Sequence, residues 1–135
     1  MMLGNGNDTV APGNNSVAIL GNGNDTVIGG ANDLIFVGSG QDQLVAGFND
    51  SWSVGAGKDT IAFNAAGFGS NTIAGFNPSQ DVLTFNASLF QNYAAVHAAT
   101  TQVGSNAVIT DAQGDQITVV GVNASQLTAN NVKIA

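Results

Sequence analysis

Short apolar segments alternate with turns rich in glycine and asparagine over residues 1–70. Each apolar segment is only a few residues long, as in Val27–Ile28 and Leu34–Val37. The spacing of three or four residues between apolar positions that would indicate a helix is absent. The pattern therefore predicts short β-strands, in which every second side chain points to the interior.

This pattern repeats with a period of seventeen residues. Each coil opens with a Gly-x-Gly-x-Asp turn, and the openings begin at Leu3, Leu20, Val37 and Val54. A second, shorter turn follows half a period later, at residues 13–16, 30–33 and 47–50. Two turns and two apolar segments per period predict an all-β fold, a parallel β-roll solenoid whose neighbouring strands lie about 4.8 Å apart.

Strand alternation divides the apolar residues into an inner and an outer set. The residues expected to form the core are Val10, Val27, Leu44 and Ile61 on one sheet, and Ala18, Ile35 and Trp52 with Leu20, Val37 and Val54 on the other. The residues expected to face outward as an apolar strip are Val17, Ile19, Leu34 and Phe36. Such a strip is a candidate surface for self-association, together with the strand edges of the first coil.

The second half of the chain loses the glycine and aspartate period. Ala107–Thr110 and Gln116–Val120 alternate apolar and polar residues on either side of the turn Asp111–Asp115, which predicts an antiparallel hairpin. We expect this hairpin to cover the open end of the last coil. The chain therefore divides into β-roll repeats at 1–70 and a β-rich cap at 71–135.

Charge is scarce and one-sided, with nine Asp, no Glu, no Arg and two Lys, and a net charge of −7. Acidity that served solubility alone would include Glu, so the choice of Asp suggests positions that need a short carboxylate on a tight turn. Nucleic acid and anionic membranes are poor partners for this charge, and no segment could be inserted into a bilayer. Cysteine is absent, which excludes disulfides and thiol chemistry.

The turns carry a resemblance to a known family. The four in-register Gly-x-Gly-x-Asp turns resemble the nonapeptide of the RTX, or hemolysin-type, calcium-binding β-roll family. Ile73–Phe85 and Ile117–Leu127 are similar to the region that follows the repeats in type I-secreted members. The resemblance implies a secreted or cell-surface protein, with an uncleaved secretion signal within 71–135.

Calcium is the expected cofactor, with several ions bound between the stacked turns. Calcium takes six to eight oxygens from carboxylates and carbonyls, and stacked aspartates without a cation would repel one another. The expected ligands in the stronger turns are Asp8, Asp25, Asp42 and Asp59, the glycines Gly4, Gly6, Gly21, Gly23, Gly38, Gly40, Gly55 and Gly57, and Asn5 and Asn22. Asp33 and Asp50 in the shorter turns are further candidates, although asparagine-capped turns without metal are the alternative there.

Catalysis within this chain is not expected, since one His and no Cys, Arg or Glu leave few acids, bases or charge stabilisers. Our main hypothesis is a calcium-folded structural or assembly module, of the kind found in surface layers, filaments or matrices. The alternative is the C-terminal secretion and folding module of an exported enzyme such as a lipase, protease or epimerase. A third hypothesis is an ice- or glycan-binding adhesin, based on outward Thr9, Thr26 and Thr60, although Gln43 interrupts that row.

Overall fold

The computed structural model describes all residues from Met1 to Ala135. It is almost entirely β, as predicted, and the strands form two facing sheets of a solenoid. Over residues 9–85 the chain passes from one sheet to the other at every turn, because glycine-rich turns separate segments too short for any other element. The helices are the single α-helix α1, Tyr93–Ala98, and a 3₁₀ turn at Ala124–Gln126, and neither has the length and hydropathy of a membrane-spanning segment.

The first sheet contains six parallel strands. Their bounds are β1 Thr9–Val10, β3 Thr26–Ile28, β5 Gln43–Val45, β7 Thr60–Phe63, β9 Val82–Phe85 and β13 Val132–Ile134. The register follows the seventeen-residue period, so that Val10 pairs with Val27 and Val27 pairs with Leu44. Past residue 70 the parallel stacking continues, because β9 pairs with β7 and β13 pairs with β9.

The second sheet combines parallel coils with an antiparallel segment. Its strands are β2 Val17–Ile19, β4 Leu34–Phe36, β6 Ser51–Ser53, β8 Ser70–Ala74, β10 Thr100–Val103, β11 Asn106–Thr110 and β12 Gln116–Val119. Strands β2, β4, β6, β8 and β12 are parallel to one another. Strand β11 then pairs antiparallel with β12, and β10 pairs antiparallel with β11. The predicted hairpin is therefore confirmed as β11–β12, and it extends the second sheet beside β8.

The core lies between the two sheets and continues through the whole chain. The predicted inward residues are buried, with Val27, Ile35 and Ile61 at 0% exposure, and Val10 is partly buried at the edge. Stacked rings of Phe63 and Phe85, 5.4 Å apart, carry the core beyond the repeats. The predicted outer strip is exposed, at 47%, 37%, 41% and 38% for Val17, Ile19, Leu34 and Phe36.

Candidate metal centre

The aspartates of the Gly-x-Gly-x-Asp turns form a continuous ladder along one side of the roll. We call these turns the first turn row; they lie at residues 4–8, 21–25, 38–42 and 55–59 and lead into the first sheet. The backbone N–H of Asp25 donates to Asp42 Oδ1 at 2.8 Å, and that of Asp42 donates to Asp59 Oδ1 at 3.0 Å. Asp8 donates in the same way to Asp25 Oδ1 at 2.9 Å. Oδ1 of Asp25, Asp42 and Asp59 therefore each joins two coils.

The second oxygen of these carboxylates has no partner. Oδ2 of Asp25, Asp42 and Asp59 is buried and accepts no hydrogen bond. The residues themselves are 1%, 0% and 0% exposed. A buried charged oxygen without a partner is strongly unfavourable, and such groups are rare in folded proteins. Three of them in consecutive coils indicate that a positively charged group belongs there.

Backbone oxygens lie beside this ladder without partners of their own. The carbonyl groups of Gly4, Gly6, Gly21, Gly23 and Gly38 accept no hydrogen bond. Each lies so close to a glycine of the next coil that a Cβ atom would collide with it, as a Cβ on Gly40 would with the carbonyl oxygen of Gly23. Glycine is required at Gly23 for a second reason, because its φ of 150° is rarely adopted by other residues.

Burial also makes the ionised form of these carboxyls unfavourable. Burial raises the pKa of Asp42 above its ordinary 3.8, and the charge of Asp25 adds to the effect. The pKa of Asp59 rises to about 7, chiefly through burial and then through the charges of Asp81 and Asp42. A cation between the coils would reverse this effect by favouring the charged form.

The donor set of the first turn row fits a hard cation such as calcium. Carboxylate and carbonyl oxygens are the ligands that calcium prefers, and it needs six to eight of them. Nowhere do three or more His, Cys, Asp or Glu side chains come together to hold a metal. A site here must therefore combine Asp25, Asp42 or Asp59 with the free glycine carbonyls. At such a site, the hydrogen bond from a backbone N–H of the preceding coil to Oδ1 would orient each carboxylate, and Oδ2 would face the ion.

The shorter turns are built differently. We call those at residues 13–16, 30–33 and 47–50 the second turn row. Asp50 Oδ1 accepts from Asp33 N at 2.9 Å, and its Oδ2 accepts from Gly47 N at 2.9 Å. Asp33 repeats this with Ser16 N at 2.8 Å and Gly30 N at 2.9 Å. Every carboxylate oxygen in the second row thus has a backbone donor.

Asparagine residues form the tight bends of the second turn row, as expected for turns without metal. Asn15, Asn32 and Asn49 have φ values of 55°, 57° and 56°, a left-handed conformation that asparagine tolerates better than most residues. The carbonyl groups of Gly30 and Gly47 accept hydrogen bonds from Phe48 N and from the Asn71 side chain. These two carbonyl oxygens of the second turn row are therefore occupied, unlike those of Gly21, Gly23 and Gly38 in the first.

Four other predicted ligands lie in the first turn row but make different contacts; they are Asn5, Asn22, Gly55 and Gly57. Asn5 Oδ1 accepts from Asn22 N at 2.9 Å, and Asn22 Oδ1 accepts from Ser39 N and Oγ. These amides form an exposed ladder that joins the coils. Gly55 and Gly57 lie in the last turn, packed against the carbonyls of Gly38 and Gly40.

Sequence reasoning missed that Asp81 extends the aspartate ladder. Its Oδ1 accepts from Asp59 N at 2.9 Å, as the equivalent oxygens do earlier in the row. Its Oδ2 accepts from Asn77 N at 2.7 Å, as in the second turn row. The separation of 22 positions from Asp59 to Asp81 breaks the seventeen-residue period. The one available signal was the following Val-Leu-Thr-Phe, which continues the strand pattern of β7.

Comparison with the solved structure of a lipase supports the fold. A stretch of an extracellular lipase from Serratia marcescens is 24% identical, with a TM-score of 0.54, over 97% of this chain and 20% of that chain. A subunit of the mannuronan C5-epimerase from Azotobacter vinelandii is 25% identical, with a TM-score of 0.44, over 95% of this chain and 78% of that one. No family model matches this chain, and the comparison with curated proteins finds no match. This chain spans about a fifth of the lipase, so the likeness concerns the β-solenoid fold.

Proposed function

We propose that this chain is a calcium-binding β-roll of the RTX type, which serves as the C-terminal folding and secretion module of an exported enzyme. The observation that carries the calcium assignment is the row of buried Oδ2 atoms of Asp25, Asp42 and Asp59, which have no partner and lie beside unbonded glycine carbonyls. The four turns of the first row leave three gaps between them. We assign one calcium ion to each gap.

Calcium binding and folding are coupled in this proposal. The ligands of each ion come from two coils, so a site exists only when those coils are stacked. Without ions, stacking would bury Asp25, Asp42 and Asp59 uncompensated, which opposes folding. The repeats are therefore unfolded at low calcium and ordered at high calcium.

This coupling suits a module that leaves the cell before it folds. A chain that stays unfolded in a low-calcium cytosol can pass through an export channel and then fold in calcium-rich surroundings. The lipase that shares the fold is extracellular, and the shared stretch is a small part of its length. In the same proposal, residues 1–70 bind the ions and residues 71–135 form the cap that carries the secretion signal.

A second candidate function is a structural module that assembles with further copies of itself. The observation that favours it is the exposed strip of Val17, Ile19, Leu34 and Phe36 on β2 and β4. The next coil has Ser51 and Ser53 at the equivalent positions, so the strip ends at β4. Strip-mediated contact between copies is a testable property that the secretion module does not require.

Calcium-dependent folding tests the main proposal. The full chain is refolded in excess chelator, in millimolar calcium and in millimolar magnesium, and is followed by far-UV circular dichroism and size-exclusion chromatography. We expect a compact β-rich chain in calcium alone, since magnesium accommodates crowded protein oxygen ligands poorly. A compact β-rich chain in excess chelator would overturn the proposal.

A further inference from the structure

The hairpin turn Asp111–Asp115 shares the distinguishing feature of the first turn row. Four buried side-chain oxygens in the chain have no hydrogen-bond partner, and three of them belong to Asp25, Asp42 and Asp59. The fourth is Oδ2 of Asp111. This turn lies outside the repeats and lacks the Gly-x-Gly-x-Asp pattern, so nothing in the period would have indicated it.

The two carboxylate oxygens of Asp111 differ in the same way as those of Asp42. Its Oδ1 accepts hydrogen bonds from Gln113 N and Asp115 N, each at 2.9 Å, which fixes the backbone of the turn. Its Oδ2 remains free although the residue is only 7% exposed. An unpartnered carboxylate oxygen at this depth is unfavourable without a cation.

Asp115 places a second carboxylate in the same turn. It is 9% exposed, and its oxygens accept from Gly67 N at 2.7 Å and Gly69 N at 3.1 Å. The turn is thereby held against the segment that leads into β8. Residues 112–114 are exposed and their carbonyl groups accept no hydrogen bond, so these groups are available as further oxygen donors.

We propose that this turn holds a calcium ion of its own, with Oδ2 of Asp111 as a direct ligand. Asp115 adds negative charge, and the turn carbonyls and water complete the oxygen shell that calcium requires. The ion would fix the β11–β12 hairpin at the point where it joins the roll through β8. This site is independent of the first turn row, so either can exist without the other.

Counting bound calcium in the full chain tests this site. Equilibrium dialysis with radioactive calcium compares wild type with Asp111→Asn, which keeps the shape of the side chain and removes its charge. We expect Asp111→Asn to bind one ion fewer. Asp50→Asn is the matched control, a buried aspartate whose oxygens both have backbone donors, and it should keep the full count. An unchanged count in Asp111→Asn overturns the site.

A second measurement does not depend on how the variant folds. Crystals of the wild-type chain grown in calcium are measured for anomalous scattering. We expect a peak within bonding distance of Asp111 Oδ2. Peaks in the first turn row with none at Asp111 overturn this site alone. A peak at Asp111 with none between the repeats keeps this site and rejects the proposed function.

Discussion

The replacement of Asp42 by asparagine, matched with Asp50→Asn, separates the two turn rows. Both aspartates belong to one coil, are 0% and 1% exposed, and accept a backbone N–H of the preceding coil through Oδ1. Burial raises the pKa of both carboxyls. They differ at Oδ2, which is free in Asp42 and accepts from Gly47 N in Asp50.

The expected magnitudes follow from that difference. Asp42 borders two of the three gaps, and removing one partner of a buried charged contact costs about 3–5 kcal/mol. At about 1.4 kcal/mol for each tenfold change in Kd, calcium binding at these gaps weakens by about 100-fold or more. In Asp50→Asn the new NH₂ group meets the N–H of Gly47, which costs about 1–3 kcal/mol of folding stability. Because folding is coupled to the binding of three ions, this loss of folding free energy is divided among them, and the affinity for each ion falls by about fivefold or less.

Isothermal titration with calcium gives both affinities directly, and circular dichroism at saturating calcium checks that each variant still folds. We expect Asp42→Asn to lose far more affinity than Asp50→Asn. Equal losses, or a greater loss in Asp50→Asn, would refute the assignment of calcium to the first turn row alone.

Three further predictions concern pH, glycine and association. Because the pKa of Asp59 is raised from 3.8 to about 7 in the folded, metal-free chain, this carboxyl gains protons on folding. The metal-free roll should therefore become more stable as pH falls from about 7 towards 4. Calcium affinity should weaken over the same range, because the ion must displace the proton from the Asp59 carboxyl. Calcium affinity that is constant between pH 5 and 8 would contradict this.

Gly40→Ala should prevent folding in calcium, because its Cβ would collide with the carbonyl oxygen of Gly23. Gly4→Ala, with nothing near its Cβ, should fold normally, and similar circular dichroism midpoints for the two variants would reject the close stacking of the coils. Phe36, 38% exposed on the apolar strip, should support association in millimolar calcium that Phe36→Asp abolishes in sedimentation experiments. A wild type that stays monomeric at high concentration would reject the assembly candidate.

The repeat geometry could be predicted because the period and the alternation constrain it together. A seventeen-residue period pairs each residue with its equivalent in the next coil, as Val27 pairs with Leu44. Alternation then determines which side chains are buried, and Ile35 and Leu34 lie inside and outside as predicted. A shift of one residue would exchange the two faces, so the register leaves little freedom.

The parts that sequence reasoning missed depend on contacts between distant residues. Asp81 follows Asp59 by 22 residues and still joins the ladder, because four of the five extra residues lie between β7 and β8 and β9 keeps the register of β7. The shorter turn brings Gly47 N within 2.9 Å of Asp50 Oδ2, whereas Oδ2 of Asp42 in the longer turn is free. The sequence shows the difference in turn length but not this contact. The partner of Asp115 across 48 residues has no local sequence signal.

The number of calcium ions on the folded chain tests the central claim most directly. Native mass spectrometry with ion mobility reports the ion count and the compactness of each species in one experiment. The first turn row predicts that compact chains carry at least three calcium ions and that chains stripped by chelator are extended. Compact chains that carry no calcium would contradict the account.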